Sequence, residues 1–148
     1  MLWALFVWWY TNTGGPLSDV EIDNFLTAME ERGTDPERRE LLREFLANDT
    51  GDDFVMINIV DMYDKPLQIE GVAPDENSDE VLAKYMEYMF PAMLARASHP
   101  VFMGVSVAPR AMDIMNAEGM EVWDSAAGVR YRSRRDLLEI GTNPAFQG

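Results

Sequence analysis

Hydrophobic and polar positions divide this chain into an apolar opening, two amphipathic helices, and a run of strand-like and helix-like stretches. Residues 1–10, MLWALFVWWY, are apolar almost throughout, and the first charged side chain is Asp19. Two readings of this segment stay open. Trp, Phe, Val and Tyr favour a buried β-strand. Trp8, Trp9 and Tyr10, gathered before the flexible TNTGGP of residues 11–16, instead resemble the aromatic belt of an apolar segment seated in a membrane. So many exposed aromatics need a cover, and docking to a membrane or a partner through Trp3, Phe6, Trp8, Trp9 and Tyr10 follows. Ten residues supply roughly half of the ~20 that a bilayer-spanning helix needs. They also lack the basic n-region and small-residue cleavage site of a secretory signal.

Residues 17–50 read as a helical hairpin. Ser18 and Glu21 make a capping box, and Ile22, Phe25, Leu26 and Met29 then recur at helical spacing on one stripe. Gly33 stops this helix, and Asp35 followed by Pro36 starts the next with a cap and an N1 proline. Leu41, Leu42, Phe45 and Leu46 supply the second apolar face, and the charged residues around Glu37 and Arg38 belong to solvent.

From residue 51 the pattern changes. Residues 54–62, FVMINIVDM, are apolar on both faces, as expected of a central, buried strand. Residues 63–77 hold Pro66, Gly71 and Pro74 without a period and read as a long loop. Ser78 caps the main helix, with Val81, Tyr85, Met89 and Met93 on one stripe, and Pro91 should kink it or end its first half near Phe90. Residues 100–108 form a second strand and 109–119 a connection. Residues 120–131 form a third strand with a point of interruption at 126–128, and Ser133 caps a last helix over 134–140. The expected result is one antiparallel sheet of segments 54–62, 101–107 and 122–131, covered by the helix over 78–98.

Composition narrows the function. A chain of 148 residues is most simply one domain, and 47% apolar with 26% charged residues is ordinary for a folded protein. The net charge of −14 argues against nucleic acid as the main partner, since that binding rests on phosphate neutralisation. The bland reading of this acidity is a solvated, self-repelling surface. With no cysteine and a single histidine, His99, there are no disulfides, no thiolate sites and no metal site within one chain. His99 is therefore expected to be dispensable. The eleven methionines fit core packing first and a Met-lined docking face second.

The order of elements from residue 54 onward is strand, loop, helix, strand, strand, helix, which is a ferredoxin-like unit without its last strand. FVMINIV opening into a loop with Asp64 and Lys65, ASHPVFMG at residues 97–104, and GVRYRSRRDLLEIGTNPAFQ at 128–147 carry a resemblance. On these residues the stretch 54–147 resembles uncharacterised bacterial members of the dimeric α/β-barrel (ferredoxin-like) superfamily. The resemblance implies an α+β fold with an antiparallel sheet and helices on one face, preceded by the apolar segment 1–16 and the hairpin 17–50. It implies two protomers with their sheets face to face, enclosing a cavity between sheet and helices. Its members include cofactor-free enzymes, haem enzymes and ligand-sensing modules, so function stays open. The final strand does not follow NPAFQ before Gly148, and residues 1–10 or a partner are expected to cover that edge.

Candidate chemistry is sparse. Asn58, a polar residue within an apolar strand, is the kind of asparagine that faces the cavity in this superfamily; the plainer reading is a buried, satisfied amide. Arg130, Arg132, Arg134 and Arg135 form the one basic cluster. Arg130 and Arg132 alternate with Tyr131, so they should emerge on one sheet face and Tyr131 on the other. They suit a carboxylate or phosphate ligand, or ion pairs within this acidic protein. No triad, phosphate loop or metal spacing is found, and Asp61 and Asp64 read as solvated strand-end acids. The first functional expectation is a non-enzymatic accessory or structural subunit in a bacterium, cofactor-free and held at a membrane or membrane-protein complex by its aromatic N-terminus. The sheet would allow a homodimer. The alternative is a cofactor-free oxygenase, isomerase or ligand-binding module with a site near Asn58, Tyr131 and Arg130.

Overall fold

The computed structural model describes residues 1–69, 71–106 and 123–142. The fold is α+β. Its elements are α1 (Leu2–Tyr10), α2 (Asp19–Glu31), α3 (Pro36–Ala47), β1 (Phe54–Val60), α4 (Ser78–Ala95), β2 (His99–Val105), β3 (Ser125–Tyr131) and α5 (Arg134–Thr142). The connection 109–119 and the closing residues after Thr142 lie outside the described residues, as does the start of the third strand before Trp123.

Residues 1–10 are not a strand. Val7 is the one β-branched residue among them, so helix propensity wins and the backbone bonds itself. Thr11 ends the helix, with its amide donating to the Val7 carbonyl at 2.9 Å and its hydroxyl at 2.7 Å. The hairpin follows its sequence signals closely. Ser18 and Glu21 form a reciprocal capping box, Gly33 adopts a positive φ of 78°, and Asp35 caps α3 by accepting from the Arg38 amide at 2.9 Å.

Two corrections concern α4. Asn77, not Ser78, is the cap: its side chain accepts from the Glu80 amide at 2.9 Å while Glu80 returns a bond to the Asn77 amide. The Ser78 hydroxyl instead donates to the Tyr63 carbonyl. Pro91 neither ends α4 nor splits it, because the missing amide removes a single bond from an eighteen-residue helix. The stop comes at Ala97, in the left-handed region with φ 51°. The Ser98 amide reaches the Met93 carbonyl and the Ala97 amide the Leu94 carbonyl, which is a Schellman closure with alanine where glycine is usual.

The sheet is antiparallel in the order β1-β3-β2. Among the described residues the expected central strand is therefore an edge: β1 lies outside, and β3 is central and the most buried. The ladder of β3 runs through Ala126–Gly128 without a break, while a bulge at Val101 shifts β2. Phe54, Met56, Val129 and Tyr131 face α4 and α5, where Met93 and Ile140 close the core. The opposite face carries Val55, Ile57, Ile59 and Phe102 and is open. That explains why β1 is apolar on both sides although it is not enclosed.

The hairpin forms a second core of Ile22, Leu26 and Leu46 against Leu138 of α5. Two ion pairs weld it there. Asp49 accepts from the Leu17 and Gly51 amides and from Arg134, and Arg135 reaches Glu21 at 2.8 Å. Burial alone would raise the Asp49 pKa, but these three donors hold it below the usual range. Hydrogen bonds from Arg135 and Ser18 lower Glu21 from 4.5 to about 2. A carboxylate depressed in this way contributes stability that is whole above its unfolded value and lost as pH falls toward its folded one. Thermal stability is therefore expected to drop between pH 4.5 and 2, and less steeply in Glu21→Gln. Melting scans of both proteins across that range check this; parallel curves would refute it.

Candidate docking site

α1 is apolar on every side, and none of its residues is buried. Trp3 is 74% exposed and Trp8 66%, with Leu2, Leu5 and Phe6 also open. A helix with no polar face is normally enclosed. Here the exposed helix is nonetheless held rigidly at its C-terminal end. Spacings of three and four residues put Trp3, Phe6 and Tyr10 on one stripe, and their rings stack at 5.7 and 5.2 Å. The stack continues onto His99 at 5.8 Å. With Nδ1 of His99 donating to the Pro100 carbonyl, Nε2 accepts from the Tyr10 hydroxyl at 2.8 Å.

The basic cluster completes the mount. Arg130 is buried, with its guanidinium 3.9 Å from the Tyr10 ring centre. It donates to Asp53 (2.7 Å), the Ala97 carbonyl (2.8 Å) and the Tyr10 carbonyl (3.1 Å). Arg132 donates to the Trp9 carbonyl at 3.0 Å and grips Asp136 with two bonds of 2.9 and 2.6 Å. Asp136 raises the Arg132 pKa, so that cation is permanent. The last carbonyls of α1 are thus capped by two fixed cations, which also complement the helix dipole.

Arg130, Tyr131 and Asn58 do not converge. Arg130 stands on the open face opposite Val55 and His99. Tyr131 lies on the other face, stacked on Phe54 at 5.6 Å, and burial pushes its hydroxyl pKa up. Asn58 shares that inner face, across from Ala127. The alternation of Arg130 and Tyr131 is as the sequence implied, but every donor nitrogen of Arg130 already has a protein acceptor. Ion pairing is what the cluster does: Arg130 with Asp53, Arg132 with Asp136, Arg134 with Asp49, Arg135 with Glu21. Asp53, Asp136 and Ala97 were not legible as parts of a site, although the i, i+4 spacing of Arg132 and Asp136 is visible.

Arg130→Met should cost about 2 kcal/mol, because two backbone carbonyls lose their donor. Urea unfolding measures that cost, and hydrogen exchange should show faster exchange at the last amides of α1. An unchanged exchange rate would show that α1 does not depend on this mount.

Among the described residues no helix is long and apolar enough to cross a membrane. No protein-family profile and no curated protein matches the chain. Two solved structures are similar, both of one protein of unknown function from Rhodopseudomonas palustris. The first has a TM-score of 0.57 at 22% identity, covering 73% of this chain and 76% of that one. The second, of the methylated protein, has 0.59 at 20%, covering 73% and 75%. At such identity the similarity is one of fold alone.

Proposed function

We propose that this chain is a non-enzymatic accessory or structural subunit that works by docking, with α1 as its docking element. The observation that carries this reading is the contrast within α1. Its outer residues are uncovered and uncharged, whereas its C-terminal end is fixed by Arg130, Arg132 and His99. A loose tail needs no such mount; a helix that must present its surface does. The order of elements from β1 to α5 supports reading the rest as a ferredoxin-like scaffold with one sheet face free for a second subunit.

A membrane-associated reading has its own support, since α1 has no polar face and its ~13.5 Å length matches about half a hydrocarbon core. The enzymatic alternative has less, because Asn58 and Tyr131 lie on the opposite side of the sheet from Arg130.

Deleting residues 2–8 tests the docking reading while leaving Trp9 and Tyr10 on the mount. The full chain should sediment as an assembly or require detergent, and the shortened chain should be folded and monomeric. Unfolding of the shortened chain, or association unchanged by the deletion, would refute the reading.

A further inference from the structure

Two uncharged surfaces are open among the described residues, and they suit each other. One is α1. The other is the outer sheet face, laid out in three rows: Val55–Arg130–His99, Ile57–Gly128–Phe102, and Ile59–Ala126–Gly104. Ile57 and Ile59 are more than half exposed, and Phe102 and Val55 nearly half. Charge on this face is confined to the first row, where Arg130 is already paired with Asp53 and joined to α1 through Tyr10. α1 therefore departs from the sheet at this row and leaves the other two uncovered.

We propose that a second copy of this chain fills this surface by reciprocal exchange, with α1 of each protomer lying on the open sheet of its partner. The proposal rests on the docking reading of α1 and names its partner. Three arguments carry it. The lengths agree: the two uncovered rows, from Ile57 to Ile59, are two strand steps or ~7 Å apart, and six helical steps from Leu2 to Trp8, the part of α1 beyond the mount, span ~9 Å. The surfaces agree: bulky side chains of α1 meet a face that is small at Ala126 and Gly104, bordered by Ile59 and by the Phe102 ring lying over Gly128. The area suffices. A buried aromatic removes on the order of 150–250 Å², so the exposed aromatics and aliphatics of α1 and the sheet together offer on the order of 1,000 Å² per copy, against ~800 Å² per partner in a standard interface. The contact is isologous, so it closes at two copies.

Two exposed positions test it, Phe6 on α1 and Ile57 on the sheet. Sedimentation of the full chain without detergent should give a dimer. Phe6→Glu and Ile57→Glu should each raise its dissociation constant about 100-fold or more, because each buries an unpaired charge, while circular dichroism shows both still folded. Mixing Phe6→Glu with an Ile57→Lys chain should give a heterodimer tighter than either variant alone, since one α1–sheet contact is then intact and the other pairs glutamate with lysine. A dimer sensitive to Ile57→Glu alone would mean that sheets meet face to face, and would overturn the exchange. So would a failure of the mixture to reassociate. A monomer that instead partitions into phosphatidylcholine vesicles would overturn the second-copy partner and leave α1 a docking element. A monomer that binds no vesicles would remove the docking reading as well.

Discussion

The structure depends on one run of charge, RYRSRRD at residues 130–136. Its four arginines leave β3 and enter α5, and each reaches back to the N-terminal third of the chain. Arg130 and Arg132 hold the last carbonyls of α1. Arg134 holds Asp49 at the end of the hairpin, and Arg135 holds Glu21 together with the Gly15 and Pro16 carbonyls. Guanidinium suits this work because five donors in a rigid fork can bind a carboxylate and a carbonyl at once. A lysine also has three donors, but they sit on one nitrogen and cannot spread over a planar fork to separated acceptors. In a protein of net charge −14, four of the twelve bases are thus committed to internal contacts. Arg39, Arg43, Lys84 and Arg96 are held in further ion pairs.

That commitment sets the character of the surface. On its inner side the sheet is closed by α4 and α5 around Met93, Val129, Tyr131 and Ile140. On its outer side it is apolar and uncovered, and the arginine mount fixes an equally apolar helix beside it. Neither surface gains from facing water. Holding them in place by charge–carbonyl contacts costs no apolar burial within the chain. The apolar area of both therefore stays open among the described residues.

Local chemistry was legible in the sequence wherever a cap or a turn decides the outcome by itself. Ser18, Asp35, Gly33 and Ser133 mark their helix ends in both sequence and structure, and three strand segments pair antiparallel as the alternation suggests. Strand order was not legible, because apolar residues on both faces of β1 signal two apolar surroundings, not a central position. Residues 1–10 stay open in the sequence between a strand and a docking segment because aromatics favour strands in a sheet, whereas among the described residues they pair with no strand and form a helix. Trp3, Phe6, Trp8, Trp9 and Tyr10 stand out in the sequence as an uncharged aromatic group, whereas Arg130 reads there as a ligand contact beside Asn58 and Tyr131 or as an ion-pair partner, not as a support of α1. The mount could not be named from the sequence, since it joins residues up to 123 positions apart.

Ala97 shows how far the mount shapes its surroundings. A left-handed alanine costs roughly 1–2 kcal/mol relative to an ordinary helical conformation, and glycine would remove most of that cost. The strain has a local return. Turning the chain at Ala97 lets Ser98 and His99 enter the sheet at once and aims the Ala97 carbonyl at the Arg130 guanidinium, 2.8 Å away. The buried Ser98 hydroxyl then accepts from the Arg132 amide. The end of α4, the start of β2 and the end of β3 are thereby drawn to one point, and the C-terminus of α1 is delivered to the same place. A conformation that looks costly for one residue is what allows a single buried arginine to reach three segments.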